Sequence, residues 1–294
     1  MGKQFGALND LCPVSESAMK INSLASNLYV GENDILFARQ TSPVAYPAEG
    51  NDWCMQIEDA SYWFAHRNRC ILSTVNRFKP TGTLFDVGGG NGFVSAALQQ
   101  EGFEVCVVEP GLQGAQNSRQ RGVRSVVCAA LEDVQFEHES LPAVGLFDVL
   151  EHIEADIQFL EHLNGLLVAG GALYLTVPAY RFLWSNDDTY AHHARRYTLR
   201  SLGKLLEATG FTIDFATYFF WMLPIAILLA RTIPSRLGIA TRITREKVET
   251  EHAAPAGKTG RLLLRMLRSE AEWIGAGRSL PFGSSCLIAA HKTG

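Results

Sequence analysis

The run Thr83-Leu84-Phe85-Asp86-Val87-Gly88-Gly89-Gly90-Asn91-Gly92, followed at once by Phe93-Val94-Ser95-Ala96-Ala97-Leu98-Gln99-Gln100, decides the fold. A short, mostly apolar β-forming stretch stops at a cluster of glycines, and helix formers resume directly after it. Glycine is required where the backbone turns sharply and approaches a ligand without a Cβ in the way. Strand, glycine turn and helix in this order open a βαβ unit. In open α/β sheets the ligand lies at the carboxyl ends of the strands.

The same texture repeats outward from this stretch. Strands are predicted over 83–87, 104–108, 124–128, 143–147, 172–177, 211–217 and 284–291. Helices are predicted over 92–100, 112–121, 155–168 (closed by Gly170-Gly171) and 199–209. This rhythm predicts an α/β fold: one doubly wound, mostly parallel, Rossmann-like sheet of seven strands. Residues 1–80 form an N-terminal cap with a helix over 57–78, and residues 81–294 form the ligand-binding domain. A helical insertion occupies about 220–278.

The chain has 294 residues, 47% hydrophobic and 19% charged, with a net charge of −4. This composition supports a sizeable core, excludes a disordered protein, and gives no global sign of nucleic-acid binding. The six cysteines are scattered without a C-x-x-C pair, which fits a reduced intracellular compartment and no zinc site. Residues 1–10 lack a signal-peptide pattern. The run Tyr218 to Ala230 falls short of the ~20 apolar residues that span a bilayer. The next stretch, 231–268, holds nine basic residues against three acidic ones. It reads either as a solvated face or as a peripheral contact with anionic lipid through 218–268. The expected location is cytoplasmic, with the inner face of the membrane as the place for such a contact.

The glycine loop separates ligand classes. A dinucleotide loop needs G-x-G-x-x-G, but the third position falls on Phe93 or Ser95, and no Gly-Lys-Ser/Thr follows as in a P-loop. D-x-G-x-G-x-G stands instead, with Glu109 ending the second strand, where a carboxylate can hold a ribose diol. This stretch resembles motif I of the class I S-adenosylmethionine-dependent methyltransferases. The resemblance covers 81–210 well and implies S-adenosylmethionine as cofactor, held by Gly88, Gly90, Gly92 and Glu109 with Asp86 at the base of the loop. Many relatives carry an Asp toward the adenine after the third strand. Here Ala130 takes its place, so that contact falls to Leu131, a backbone group or Glu132.

The fourth strand runs into Asp148-Val149-Leu150-Glu151-His152, where Asp148 would face the donor. The stretch resembles E-x-x-E-H in quinone-biosynthesis O-methyltransferases, with Asp148 in place of the first Glu, and in that family it is associated with a divalent cation. A helix N-terminus explains the acids equally well, and no metal is assigned. After the fifth strand, P-A-Y…L-W-S…H-x-R-R-Y-T is similar to a bacterial methyltransferase group linked to glycan and cell-surface pathways. It supplies Tyr180, Trp184, Arg195, Arg196 and Tyr197 as acceptor-binding candidates, and His193, with His152, as the base. Arg195 and Arg196 read either as a clamp for an anionic acceptor group or as partners of Asp187 and Asp188. The cluster Tyr62-Trp63-Phe64 with His66, Arg67 and Asn68 reads as packing, on a segment that the resemblance makes a lid.

The resulting expectation is a methyltransferase acting on a small-molecule or lipid- or glycan-linked acceptor, by O-methylation, with no nucleic-acid partner. Two other classes stay open: a non-catalytic S-adenosylmethionine-binding module or partner subunit, and, disfavoured by Phe93, an NAD-dependent oxidoreductase.

Overall fold

A computed structural model describes residues 16–41, 49–239, 253 and 257–294. The strands are β1 (Leu28–Val30), β2 (Ile35–Ala38), β3 (Leu84–Val87), β4 (Val105–Val108), β5 (Ser125–Cys128), β6 (Leu141–Phe147), β7 (Leu167–Pro178), β8 (Phe211–Phe219) and β9 (Ser285–Lys292). They form one sheet in the order β1-β2-β5-β4-β3-β6-β7-β9-β8. Strands β2 through β7 of that order run parallel, while β1 lies antiparallel to β2, and β9 antiparallel to both β7 and β8. The central strands β3, β4 and β5 are buried along their whole length, as a sheet covered on both faces requires.

The seven predicted strands all form. Among the described residues the sheet nonetheless has nine, because β1 and β2 come from the N-terminal segment and extend the β5 edge. Residues 1–80 are therefore not a purely helical cap. Three- and four-residue strands are too short for a period-two pattern to register, and Leu28, Ile35, Leu36 and Ala38 earn their burial only against β5 and its neighbours.

The helices are α1 (Glu16–Asn22), α2 (Glu49–Ala60), α3 (Tyr62–Arg77), α4 (Phe93–Gln100), α5 (Leu112–Gln120), α6 (Asp156–Leu166), α7 (Asn186–Tyr190), α8 (Leu199–Ala208), α9 (Leu223–Ile227), α10 (Ile233–Arg236) and α11 (Gly257–Gly275). The helix predicted over 57–78 is broken at Ser61, whose hydroxyl accepts from the Trp63 and Phe64 amides and caps α3. The helix predicted to end at Gly170-Gly171 stops at Leu166. The chain passes straight into β7, and both glycines lie within that strand.

The insertion is helical where it is described, and α11 packs on α3. Their link is a fully buried ion pair, His66 Nε2 to Glu270 Oε2 at 2.8 Å. Cys70, Cys106, Cys128 and Cys286 are buried free thiols, while Cys12 and much of the basic stretch lie outside the described residues. Among the described residues no helix is long and apolar enough to cross a membrane.

Strand β3 is the switch point. The chain leaves it toward β4 and β5, then returns to its other side for β6 and β7. The crevice lies above its carboxyl end.

Candidate active site

Gly88, Gly90 and Gly92 all have left-handed φ, at +68°, +54° and +71°. They serve different ends. A Cβ on Gly88 would stand 2.8 Å from Val149 Cγ2, and one on Gly92 would stand 2.7 Å from Ser118 Oγ, so both permit close packing of the loop. A Cβ on Gly90 would meet nothing within 4 Å, so this glycine faces open space. Ser118 Oγ donates to the Gly90 carbonyl at 2.9 Å and fixes the bend from α5.

Glu109 is buried at the end of β4. Its Oε2 accepts from the Gly90 amide and its Oε1 from the Gly111 amide, each at 2.8 Å. Burial raises its pKa against the pull of these two amides. Each carboxylate oxygen keeps a second lone pair, so the same acid can accept from a ribose diol while bracing the loop. An open glycine face beside such an acid fits a nucleoside donor.

Asp86 does not line this space. It is fully buried beneath the loop and accepts from Ser95 Oγ at 2.6 Å. Burial pushes its carboxyl up to about 6 despite that bond. Its role is to support the loop. Leu131 likewise has its side chain in the core, which leaves only its backbone for any adenine contact.

At the end of β6, Asp148 adopts φ +59°. Thr176 Oγ1 donates to its Oδ1 at 3.0 Å, and Arg67 Nε lies 2.5 Å from its Oδ2. Arg67 also donates to the Phe147 carbonyl at 2.7 Å. Such strained non-glycine geometry persists only where its surroundings hold it. Arg67, expected to pack, instead ties α3 to the end of β6. A charged residue within an aromatic helix was the available signal, because a buried guanidinium needs a partner.

A second network couples α2 to the glycine loop. Asn91 Nδ2 donates to Glu58 Oε1 at 3.3 Å, Arg121 Nη2 to Glu58 Oε2 at 2.7 Å, and Asn117 Nδ2 to Asn91 Oδ1 at 2.9 Å. No sequence pattern marks these four residues.

The acceptor-side candidates divide. Arg196 is committed to Asp188 at 2.6 and 3.0 Å and donates to the Ala179 carbonyl. Arg195 pairs with Asp156 at 2.5 Å and donates to the Glu154 carbonyl. These guanidiniums satisfy buried acids of the fold and do not form a clamp. Tyr197 is in the core with its hydroxyl on Asp156 Oδ2. Tyr180 stacks on Tyr218 and Phe182 at the end of β7 with φ +57°, and Trp184 is half-buried on the following turn.

His193 and His152 do come together, with ring centroids 4.8 Å apart. His193 Nδ1 meets Asp188 Oδ1 at 2.9 Å. Burial would raise the Asp188 carboxyl, but its bonds to His193 and Arg196 win and hold it at about 2. Burial, then the neighbouring His193, lowers the His152 pKa. Glu151 is buried beside them, and burial with the nearby Asp148 raises its pKa well above the usual range. The donor atoms of Glu151, His152 and His193 lie within 4.8 Å of one another, a set of ligand types that transition metals accept. Asp148 is not among them and pairs with Arg67.

A family model described as "Methyltransferase domain" matches residues 58–214. The biotin biosynthesis bifunctional protein BioHC of Cellvibrio japonicus is 25% identical over 135 residues, 43% of this chain and 27% of that protein. The chain thus spans about a quarter of the length of this curated relative. A phosphoethanolamine N-methyltransferase 2 of Haemonchus contortus, solved with phosphomonomethylethanolamine and S-adenosylhomocysteine, superimposes with TM-score 0.53 at 20% identity over 85% of this chain and 58% of its own. An S-adenosylmethionine-dependent methyltransferase of Thermotoga maritima gives TM-score 0.53 at 16% identity over 83% and 95%. At these identities the two structures establish the fold. With the family model covering more than half of its length, the chain belongs to the methyltransferase-domain family and has the class I fold that goes with S-adenosylmethionine as cofactor.

Proposed function

We propose that the protein transfers a methyl group from S-adenosylmethionine to a hydroxyl of a small-molecule or lipid- or glycan-linked acceptor. The observation that carries this reading is the joint placement, at the carboxyl ends of β3, β4, β6 and β7, of the open Gly90 face, Glu109 and the Asp188–His193 pair. When bound, the donor supplies an electrophilic methyl on a sulfonium sulfur. Gly90 and Glu109 hold its nucleoside, and the Glu58–Asn91 bond closes α2 over the loop as a lid.

A sulfonium donor needs no activation, so the chain contributes position and a base. Asp188 can only accept at its Oδ1, which places a proton on His193 Nδ1 and leaves Nε2 as the lone pair of the neutral ring. Nε2 takes the acceptor's hydroxyl proton as the oxygen–carbon bond forms and the carbon–sulfur bond breaks. Tyr180 and Trp184 line the acceptor side. Oxygen is the acceptor atom that best uses an imidazole base, although the similar structures include an N-methyltransferase. A lipid-linked acceptor goes with peripheral membrane contact through 218–268 from the cytoplasmic side.

Isothermal titration with S-adenosylmethionine, then mass spectrometry of extract incubated with isotope-labelled donor, tests the reading. Donor binding with labelled product and released S-adenosylhomocysteine is expected. Binding without turnover in any extract would favour a non-catalytic module, and preference for NAD over the donor would favour an oxidoreductase.

A further inference from the structure

Ile225 in α9, Leu229 in a π-helical turn (Leu228–Thr232) and Ile233 in α10 recur at every fourth residue, and Trp221 and Leu237 continue the spacing in the turns at either end. All five are exposed, and Ile225, Leu229 and Leu237 keep 67%, 62% and 69% of their surface in solvent. Residues four apart are neighbours on a helix surface, so each member of the series adjoins the next. The opposite face is anchored. Thr232 is buried with its Oγ1 donating to the Leu183 carbonyl at 2.9 Å, Ser235 Oγ donates to Asn186 Oδ1 at 2.8 Å, and Arg236 donates to the Phe182 carbonyl at 2.9 Å.

These bonds fasten the helix to the segment after β7 that carries Asp188 and His193. That segment adds exposed Phe182 and Tyr190 of its own. A stripe of large apolar side chains turned to water beside a site is a surface made for a partner.

Charge selects the partner. Residues 221–239 contain Arg231 and Arg236 and no acid, Arg231 being paired with Asp187 of α7 at 3.0 Å. Helix α11 exposes Lys258, Arg261, Arg265 and Arg268. It is tied to the start of the stripe through the Trp221 amide, which donates to Glu270 Oε1 at 3.0 Å. Two copies meeting through this face would set like charges against each other. An anionic bilayer accepts both features, apolar side chains at the headgroup–acyl boundary and cations at the phosphates.

We infer that the 221–239 face docks on an anionic lipid bilayer and sets the His193 side of the crevice against the membrane surface. The inference rests on the proposed lipid-linked acceptor for its purpose, but its test involves no methyl transfer.

The test is co-sedimentation of the full chain with vesicles of phosphatidylcholine alone and of phosphatidylcholine with an equal part of phosphatidylglycerol, at low and raised salt. The expected result is at least about tenfold stronger partitioning onto the anionic vesicles, weakening as salt rises. The triple variant Ile225→Ser, Leu229→Ser, Leu237→Ser should lose about tenfold or more of that binding, with circular dichroism and donor affinity unchanged. If that variant fails to fold, Arg261→Glu with Arg265→Glu on exposed α11 decides, and its binding to the anionic vesicles should fall.

Equal partitioning onto both vesicle types, or undiminished binding by the folded variants, overturns the inference. So does a dimer in size exclusion that the triple variant dissolves while vesicles capture nothing, which would assign the stripe to a second copy. Failure to bind vesicles with donor affinity intact sinks only this inference, whereas failure to bind the donor sinks only the proposed function.

Discussion

His193 and Asp188 meet at 2.9 Å, Nδ1 to Oδ1, five residues apart across the short helix α7. The same carboxylate accepts from Arg196 and from the Ser185 amide that it caps. One buried acid thus orients the imidazole, neutralises a guanidinium and starts a helix.

His193→Ala should therefore lower turnover by about 10²-fold or more while leaving donor affinity within a factor of two or so. Single-turnover rates and calorimetric titration on the same preparation check this. Unchanged turnover would move the base to His152 or remove it from the mechanism.

Glu109→Gln should weaken donor binding by about tenfold or more, because a neutral amide accepts the ribose hydroxyls less well and braces the Gly90 and Gly111 amides less firmly. Titration calorimetry reads the loss, and circular dichroism should show the fold retained. Equal affinity would remove Glu109 from the donor site.

Gly88→Ala and Gly90→Ala separate packing from binding. Both add left-handed strain of about 1–2 kcal/mol. Only the first also drives a methyl against Val149, and only the second points one into open crevice. Gly88→Ala should show the larger fall in urea midpoint and Gly90→Ala the larger fall in donor affinity.

Two buried acids give opposite pH signatures. Asp86 is raised to about 6 in the fold, so its contribution to stability is full below pH 4 and is lost as pH rises through about 6. Asp86→Asn should gain on the native chain by about 3 kcal/mol between pH 4 and pH 7, at 1.36 kcal/mol per pH unit. Asp188 is depressed to about 2, so its contribution is full above pH 4 and is lost as pH falls through about 2. Asp188→Asn should cost about 3 kcal/mol near neutrality, chiefly by leaving Arg196 uncompensated, and that cost should shrink below pH 4. Urea midpoints across this range give both differences.

The sequence alone determined the alternation of strand and helix and the glycine turn with an acid one strand later. These features are local: apolar run length, helical spacing and glycine position follow from steric limits within a few residues. The same locality brought out His193 and His152, because polar residues cluster after strand ends. Tertiary structure alone decided which of those groups remain available. The sequence left Arg195 and Arg196 open between an anion clamp and structural pairing, and only the fold sets Asp156 and Asp188 beside them; likewise only the fold buries Asp86 beneath the loop on Ser95. Arg67 on α3 and Glu58 on α2 reach the site only through the folding of the N-terminal segment. Strands β1 and β2 exist only because β5 offers an edge. A buried charge finds its partner wherever the chain brings one, and no spacing along the sequence records that choice.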